Sequence, residues 1–206
     1  MKLRHLRQTL KQGINKAITQ PALIHKRVKK YNLEPMTIIS SDCSGGVICH
    51  DNGLPLDSPT VNLIISGNDY IQFCRNLDCY LAMKLIDGGR DPNYGYPIAY
   101  CGDVKILGVH YHQFSDLEAA WERRKQRVHR ERIIFLMTER QLDNDADLDH
   151  FASLTGRKLF LCSADFQKTY DFVLPLKEFD RMFLFDGFSG RRFIENELDF
   201  AKWYLQ

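Results

Sequence analysis

The chain has 206 residues, enough for one domain with a real core and short for two. A hydrophobic share of 44% and a charged share of 26% are those of a globular protein, which excludes a disordered or fibrous chain. The net charge of +2 hides an asymmetry: residues 1–30 hold nine Lys or Arg and no Asp or Glu, which leaves the other 176 residues at −7 and gives the basic end a partner of its own.

In chain order, Leu3, Leu6, Leu10, Ile14 and Ala17 recur at helical spacing, so an amphipathic helix is predicted that ends near Pro21. Lys2, Arg4, Arg7, Lys11 and Lys16 lie largely off that stripe, and His25-Lys26-Arg27-Val28-Lys29-Lys30 follows. Two readings stand: contact with an anionic inner-membrane surface, or a terminal helix packed on the domain. Residues 1–30 contain no aromatic, so nucleic acid is not expected as a partner. No stretch is long enough to span a bilayer and no signal-peptide core follows Met1, so a cytoplasmic location is expected, with peripheral membrane contact as its refinement. The six cysteines form neither C-x-x-C pairs nor a disulfide framework, which fits a reducing compartment.

The domain proper, residues 31–206, is organised around Met36–Asp51. An apolar run from Met36 to Ile39 reads as a buried strand that stops in Ser40-Ser41-Asp42-Cys43-Ser44-Gly45-Gly46. In open α/β sheets ligands bind beyond the carboxyl ends of strands. Glycine amides there suit a phosphate or a developing oxyanion. Val61–Ile65 reads as a second strand, and Asp69–Ile86 as a helix. Asp87–Pro92 reads as a break, and Tyr96–Tyr100 with Val104–Val109 as a hairpin around Gly102-Asp103. Ser115 with Glu118 matches a capping box at the start of the next helix. Ile133–Met137 is fully apolar and therefore central. A helix over Asp143–Leu154, strands at Lys158–Cys162 and Asp171–Leu174, a turn at Gly187–Gly190 and a closing helix over Phe193–Tyr204 complete a three-layer α/β/α domain with a mixed sheet.

The ordered series Ile39-Ser-x-x-Cys43-x-Gly45-Gly46, Pro59–Leu63, Asn76–Leu81, Tyr96-Pro97-Ile98, His110-Tyr111, Trp121–Arg124 and Met137–Arg140 resembles a bacterial domain family found in exopolysaccharide and capsule gene clusters, long carried as a domain of unknown function. Ser41, Asp42, Ser44 and Glu139 depart from that family's pattern. The resemblance covers roughly residues 35–165. It implies a three-layer α/β fold and a role in making surface polysaccharide, without supplying a reaction.

The residues themselves offer chemistry. Cys43 is a candidate acyl-transfer nucleophile with His110 as base, and Asp42 or Glu139 as the group orienting the imidazole. The bland alternative makes Cys43 a packing residue and His110 a hydrogen-bonded strand-end histidine. Ser41, Ser44, Gly45, Gly46, Asn62 and Arg124 are the candidate contacts to a sugar or lipid-linked sugar. Asp143-Asn144-Asp145 matches the D-x-D of metal-dependent nucleotide-sugar glycosyltransferases, but acids are expected at a helix start in any case. A metal site from His50, His110 and His112 lacks further donors at ligand spacing. The basic run Arg123, Arg124, Lys125, Arg127, Arg130 and Arg132 suits phosphates or a solvated helix face. The expected function is therefore a transferase of polysaccharide synthesis, with acyl transfer ahead of glycosyl transfer and of a non-catalytic docking role. No metal and no cofactor are assigned.

Overall fold

The computed structural model describes residues 2–168, 170–177, 179 and 198–206, with side chains from residue 7 onward. The core element is a parallel sheet of four strands: β1 (Thr37–Ser40), β5 (Ile133–Thr138), β6 (Arg157–Ser163) and β7 (Val173–Leu176), in the order β1-β5-β6-β7. Ile39 pairs with Phe135, and Leu136 with Leu159. The apolar run at Ile133 is central, as its composition requires.

Side chains alternate across this sheet, as the period of two demands. Ile39, Phe135, Met137, Phe160 and Cys162 point to one face. There they meet Tyr70 and Phe73 of α4 (Gly67–Arg75), Leu117 and Trp121 of α6 (Phe114–Lys125), and Leu148 and Phe151 of α7 (Ala146–Ala152). Ile38, Ile134, Leu136, Leu159 and Leu161 point to the other. There they meet Ile48 and Cys49 of α3 (Ser44–Asp51) and Phe200 of α8 (Phe200–Tyr204). The three-layer α/β reading therefore holds.

The strands do not form one mixed sheet. β2 (Ile86–Arg90), β3 (Pro97–Cys101) and β4 (Val104–Leu107) make a separate antiparallel sheet, and its inner residues join the first core. The segment 57–65 keeps the two sheets apart by occupying the open edge of β1. Thr60 Oγ1 accepts from Ser40 N–H at 2.9 Å, and Ser41 O accepts from Ile65 N–H at 2.9 Å. Ile64 bridges to β4 through Leu107. The strand expected over Val61–Ile65 is broken by Asn62, whose φ of 68° is left-handed.

Other boundaries differ for local reasons. The helix expected over Asp69–Ile86 divides at Asn76 into α4 and α5 (Leu77–Ala82), and Ile86 already belongs to β2. Asn76 sits outside helical geometry at φ −118°, and its amide donates to Gln72 O, as short polar side chains do when they compete with a helix ladder. α6 starts one residue before Ser115, after the extended Gln113, and uses no side-chain cap. Its start is set by Phe114, which packs on the core. The turn at Gly187–Gly190 and the Phe193–Glu197 part of the closing helix lie outside the described residues.

The amino-terminal helix does not stop at Pro21. α1 (Lys2–Ile14) passes through a π turn (Asn15–Thr19) into α2 (Gln20–Tyr31). Proline lacks an N–H and crowds the carbonyl four residues back. At the end of the π turn the Gln20 N–H bonds Asn15 O, five residues back, so Pro21 falls where the bonding pattern changes. α2 closes at Asn32, with φ 44° and its N–H on Val28 O.

Candidate functional site

At the carboxyl ends of β1 and β5 the chain buries a group of polar side chains: Ser40, Ser41, Asp42, Ser44 and Thr138. β1 ends by giving Ser41 N–H to Leu136 O at 2.9 Å. The chain then turns, because Asp42 Oδ1 accepts from Ser44 N–H at 2.8 Å and Ser40 Oγ accepts from Gly45 N–H at 3.2 Å. α3 begins there, directly after Cys43.

Gly45 lets that first turn lie on β1. A Cβ on it would stand 2.7 Å from Ser40 Cβ, whereas one on Gly46 would meet only Val61 Cγ1 at 3.5 Å. Gly45→Ala is expected to cost about 1–3 kcal/mol by overpacking. Gly46→Ala is expected to be neutral, or stabilising by up to about 1 kcal/mol. Thermal melts of the two variants check this, and equal melting temperatures would contradict the seating of α3 on β1.

Asp42 is the hub. Its Oδ2 accepts from Thr138 Oγ1–H at 2.9 Å and lies 3.2 Å from Arg140 Nη2. The Arg140 side chain is only 12% exposed, yet its Nε and Nη2 have no hydrogen-bond partner among the described residues. The approach to Asp42 is an ion pair whose geometry leaves those N–H groups unspent. The Phe179 ring lies 5.3 Å from the guanidinium carbon. Ser44 Oγ is likewise buried, with no hydrogen-bond partner among the described residues. Asp42 and Ser44 are candidates from the sequence, whereas Arg140, which stands beside Asp42, is not among those candidates. The available signal was a cation placed two residues past the end of the central strand.

Cys43 is half-buried in this group. Burial, and next the Asp42 charge, push its thiol up to about 12, with Arg140 pulling the other way. At neutral pH it is a thiol, not a thiolate. His110 is exposed. It lines a hollow of about 430 Å³ with Arg90, Tyr94, Tyr96 and His112. There Arg90 is tied to Gly95 O and His112 O, and Tyr94 stacks on Tyr96 with ring centroids 5.9 Å apart.

The other candidates have these surroundings. Ser41 Oγ accepts from Thr138 N–H at 3.3 Å. Glu139 Oε2 accepts from both the N–H and the Oγ–H of Ser163 at 2.7 Å, joining the ends of β5 and β6. Arg124 is buried, and its Nη1 donates to Val61 O at 3.1 Å and to Tyr111 Oη at 2.6 Å, so it holds the loop that carries Asn62. Four of its basic neighbours are engaged too: Lys125 with Glu122, Arg127 with Asp57, Arg130 with Asp78, and Arg132 with Glu34. Asp143 accepts from Asn68 N–H at the start of α4, and Asp147 holds the Asp143 and Asn144 amides. His50 Nδ1 lies 2.9 Å from Asp51. Among the described residues no three of His, Cys, Asp or Glu converge as a metal set.

What the arrangement can do chemically is hold an anion. A side-on guanidinium edge, Nε with Nη2, matches two oxygens of a phosphate or carboxylate. The start of α3 adds only its dipole, because the Ser44 and Gly45 N–H groups are already taken by Asp42 and Ser40.

Compared with known proteins, residues 14–204 match the family described as a domain of unknown function, DUF1919. An uncharacterized protein of Haemophilus influenzae is similar, at 26% identity over 204 residues, covering 96% of this chain and 97% of that one.

Proposed function

The chain belongs to the DUF1919 family, and on that premise we propose that it is a transferase acting on a phosphate-linked sugar during exopolysaccharide or capsule synthesis, at the cytoplasmic face of the inner membrane. The polysaccharide part rests on the resemblance of the ordered motifs from Ile39 to Arg140. The chemical part rests on one observation: Arg140 presents a buried guanidinium edge, Nε with Nη2, that no hydrogen bond fills among the described residues and that the Asp42 carboxylate approaches only as an ion pair. An unmet buried donor costs roughly 1–3 kcal/mol, so such a cation favours an acceptor that fills its edge. A phosphate fits, and sugar donors of polymer synthesis carry one. No helix among the described residues is long and apolar enough to cross a membrane.

Acyl transfer through Cys43, with His110 as base, is the covalent version of this reading. It asks substrate binding to bring a base to a thiol that the free protein keeps protonated. Without that, Cys43 serves the phosphate as a neutral neighbour, and transfer proceeds directly between bound donor and acceptor.

Melting temperature with and without millimolar pyrophosphate or a nucleoside diphosphate-sugar tests the anchor. The native protein is expected to be stabilised, and Arg140→Lys, which keeps the charge but loses the fork, to bind about tenfold or more weakly. Equal stabilisation of both proteins would defeat the reading. For the covalent version, Cys43→Ser should abolish the acyl content of the polymer while leaving pyrophosphate binding in place.

A further inference from the structure

α2 is seated on the domain. Arg27 Nη1 donates to Asp51 O at 3.3 Å, and Tyr31 Oη–H donates to Asp199 Oδ2 at 2.6 Å. Gly53 lacks the Cβ that Val28 would otherwise strike. Toward the amino terminus that seating ends. Leu10, Ile14 and Ile18, four residues apart, are 63%, 48% and 64% exposed. With Thr9, Gly13 and Ala17 they line one shallow, apolar surface hollow. The described part of the stripe that the sequence could assign either to packing or to a membrane, Leu10, Ile14 and Ala17, is therefore not packed. Arg7, Lys11 and Lys16 are exposed around it.

We propose that this stripe is a docking face for an anionic lipid bilayer, on which the helix lies in the interfacial plane. Charge decides the occupant. Residues 1–30 carry nine Lys or Arg and no acid, so the face suits a surface of phosphate headgroups. A second copy would bring eighteen like charges together over a narrow apolar seam. The body of the chain, at −7, is repelled by the same headgroups, which keeps the protein on its helix and turns the rest away from the surface. The helix is too polar to cross the membrane and is suited to lie on it. The proposal uses no residue of the Asp42–Arg140 site and stands or falls apart from the transferase reading.

Co-sedimentation of the full chain with vesicles tests it, using phosphatidylcholine alone and phosphatidylcholine with 30% phosphatidylglycerol, at about 0.1 M salt, where exposed charges farther apart than about 10 Å are screened. Binding is expected to the anionic vesicles only. It should weaken about tenfold or more in Lys11→Glu/Lys16→Glu and also in Leu10→Ser/Ile18→Ser. These positions are exposed, and unchanged far-UV circular dichroism and melting would show the variants folded. Equal binding to neutral vesicles, absence of binding to anionic ones, or a concentration-dependent dimer abolished by Leu10→Ser/Ile18→Ser in place of vesicle binding would each overturn the proposal.

Discussion

Asp42→Asn is expected to lower the unfolding free energy by about 3–5 kcal/mol, the range for removing one partner of a buried ion pair. The native carboxylate answers three groups at once: Ser44 N–H at 2.8 Å, Thr138 Oγ1–H at 2.9 Å and the Arg140 guanidinium at 3.2 Å. An amide presents one acceptor and one donor, so either Ser44 or Thr138 faces an N–H. Arg140, already short of acceptors, loses the carboxylate it is ion-paired with. Urea unfolding measures the loss, and an unchanged midpoint would contradict the pairing. The double variant Asp42→Asn/Arg140→Met should recover part of the loss, because it removes the uncompensated charge as well. Strictly additive effects would mean that the two side chains do not act as a pair.

How much of this was legible in the chain depends on how local the cause was. Ile133–Met137 declared itself as a central strand because an all-apolar run has one stable location in a three-layer fold. Gly102-Asp103 declared the hairpin because a tip needs a left-handed residue, and Gly102 has φ 60°. The end of β1 could be read as a site because Ser41–Gly46 is too polar to continue a buried strand. What escaped is set by partners distant in sequence. Asn62 adopts a left-handed conformation in a loop held by Arg124, 62 positions further on, and the hydrophobic pattern of Val61–Ile65 hides it. The role of Arg140 is visible only once β5 is laid beside β1, which brings it to Asp42. Gly45 looked like an amide donor for an anion, yet its hydrogen serves Ser40 and its missing side chain serves packing.

Raising the pH from 8 to 10 should remove about 4 kcal/mol of stability through three buried thiols. Burial pushes Cys49 and Cys162 from the ordinary value of 9.0 up to about 12, and Cys101 up to about 11. Asp57 adds to the shift at Cys49, and Glu139 and Asp165 add to it at Cys162, whereas Lys125 opposes it at Cys101. The sign follows from proton counting. Above pH 9 the unfolded chain loses these protons while the folded chain keeps them, so each further pH unit favours unfolding until the folded thiols ionise at 11 to 12. The stabilisation is complete below pH 9 and is lost as the pH climbs through that window. At pH 10 each thiol contributes at most about 1.4 kcal/mol. Three together approach half of a typical domain stability of about 5–15 kcal/mol. Cys43, Cys74 and Tyr70, all shifted upward by burial, deepen the same decline. Urea midpoints at pH 8, 9 and 10 under reductant would follow it. A triple Cys49→Ala/Cys101→Ala/Cys162→Ala variant starts less stable because of the volume it loses, but its midpoint should fall less steeply with pH, with Cys43, Cys74 and Tyr70 carrying the remaining decline. A native midpoint that is flat to pH 10, or a triple variant that declines as fast as the native chain, would show that these thiols do not hold their protons in the folded core.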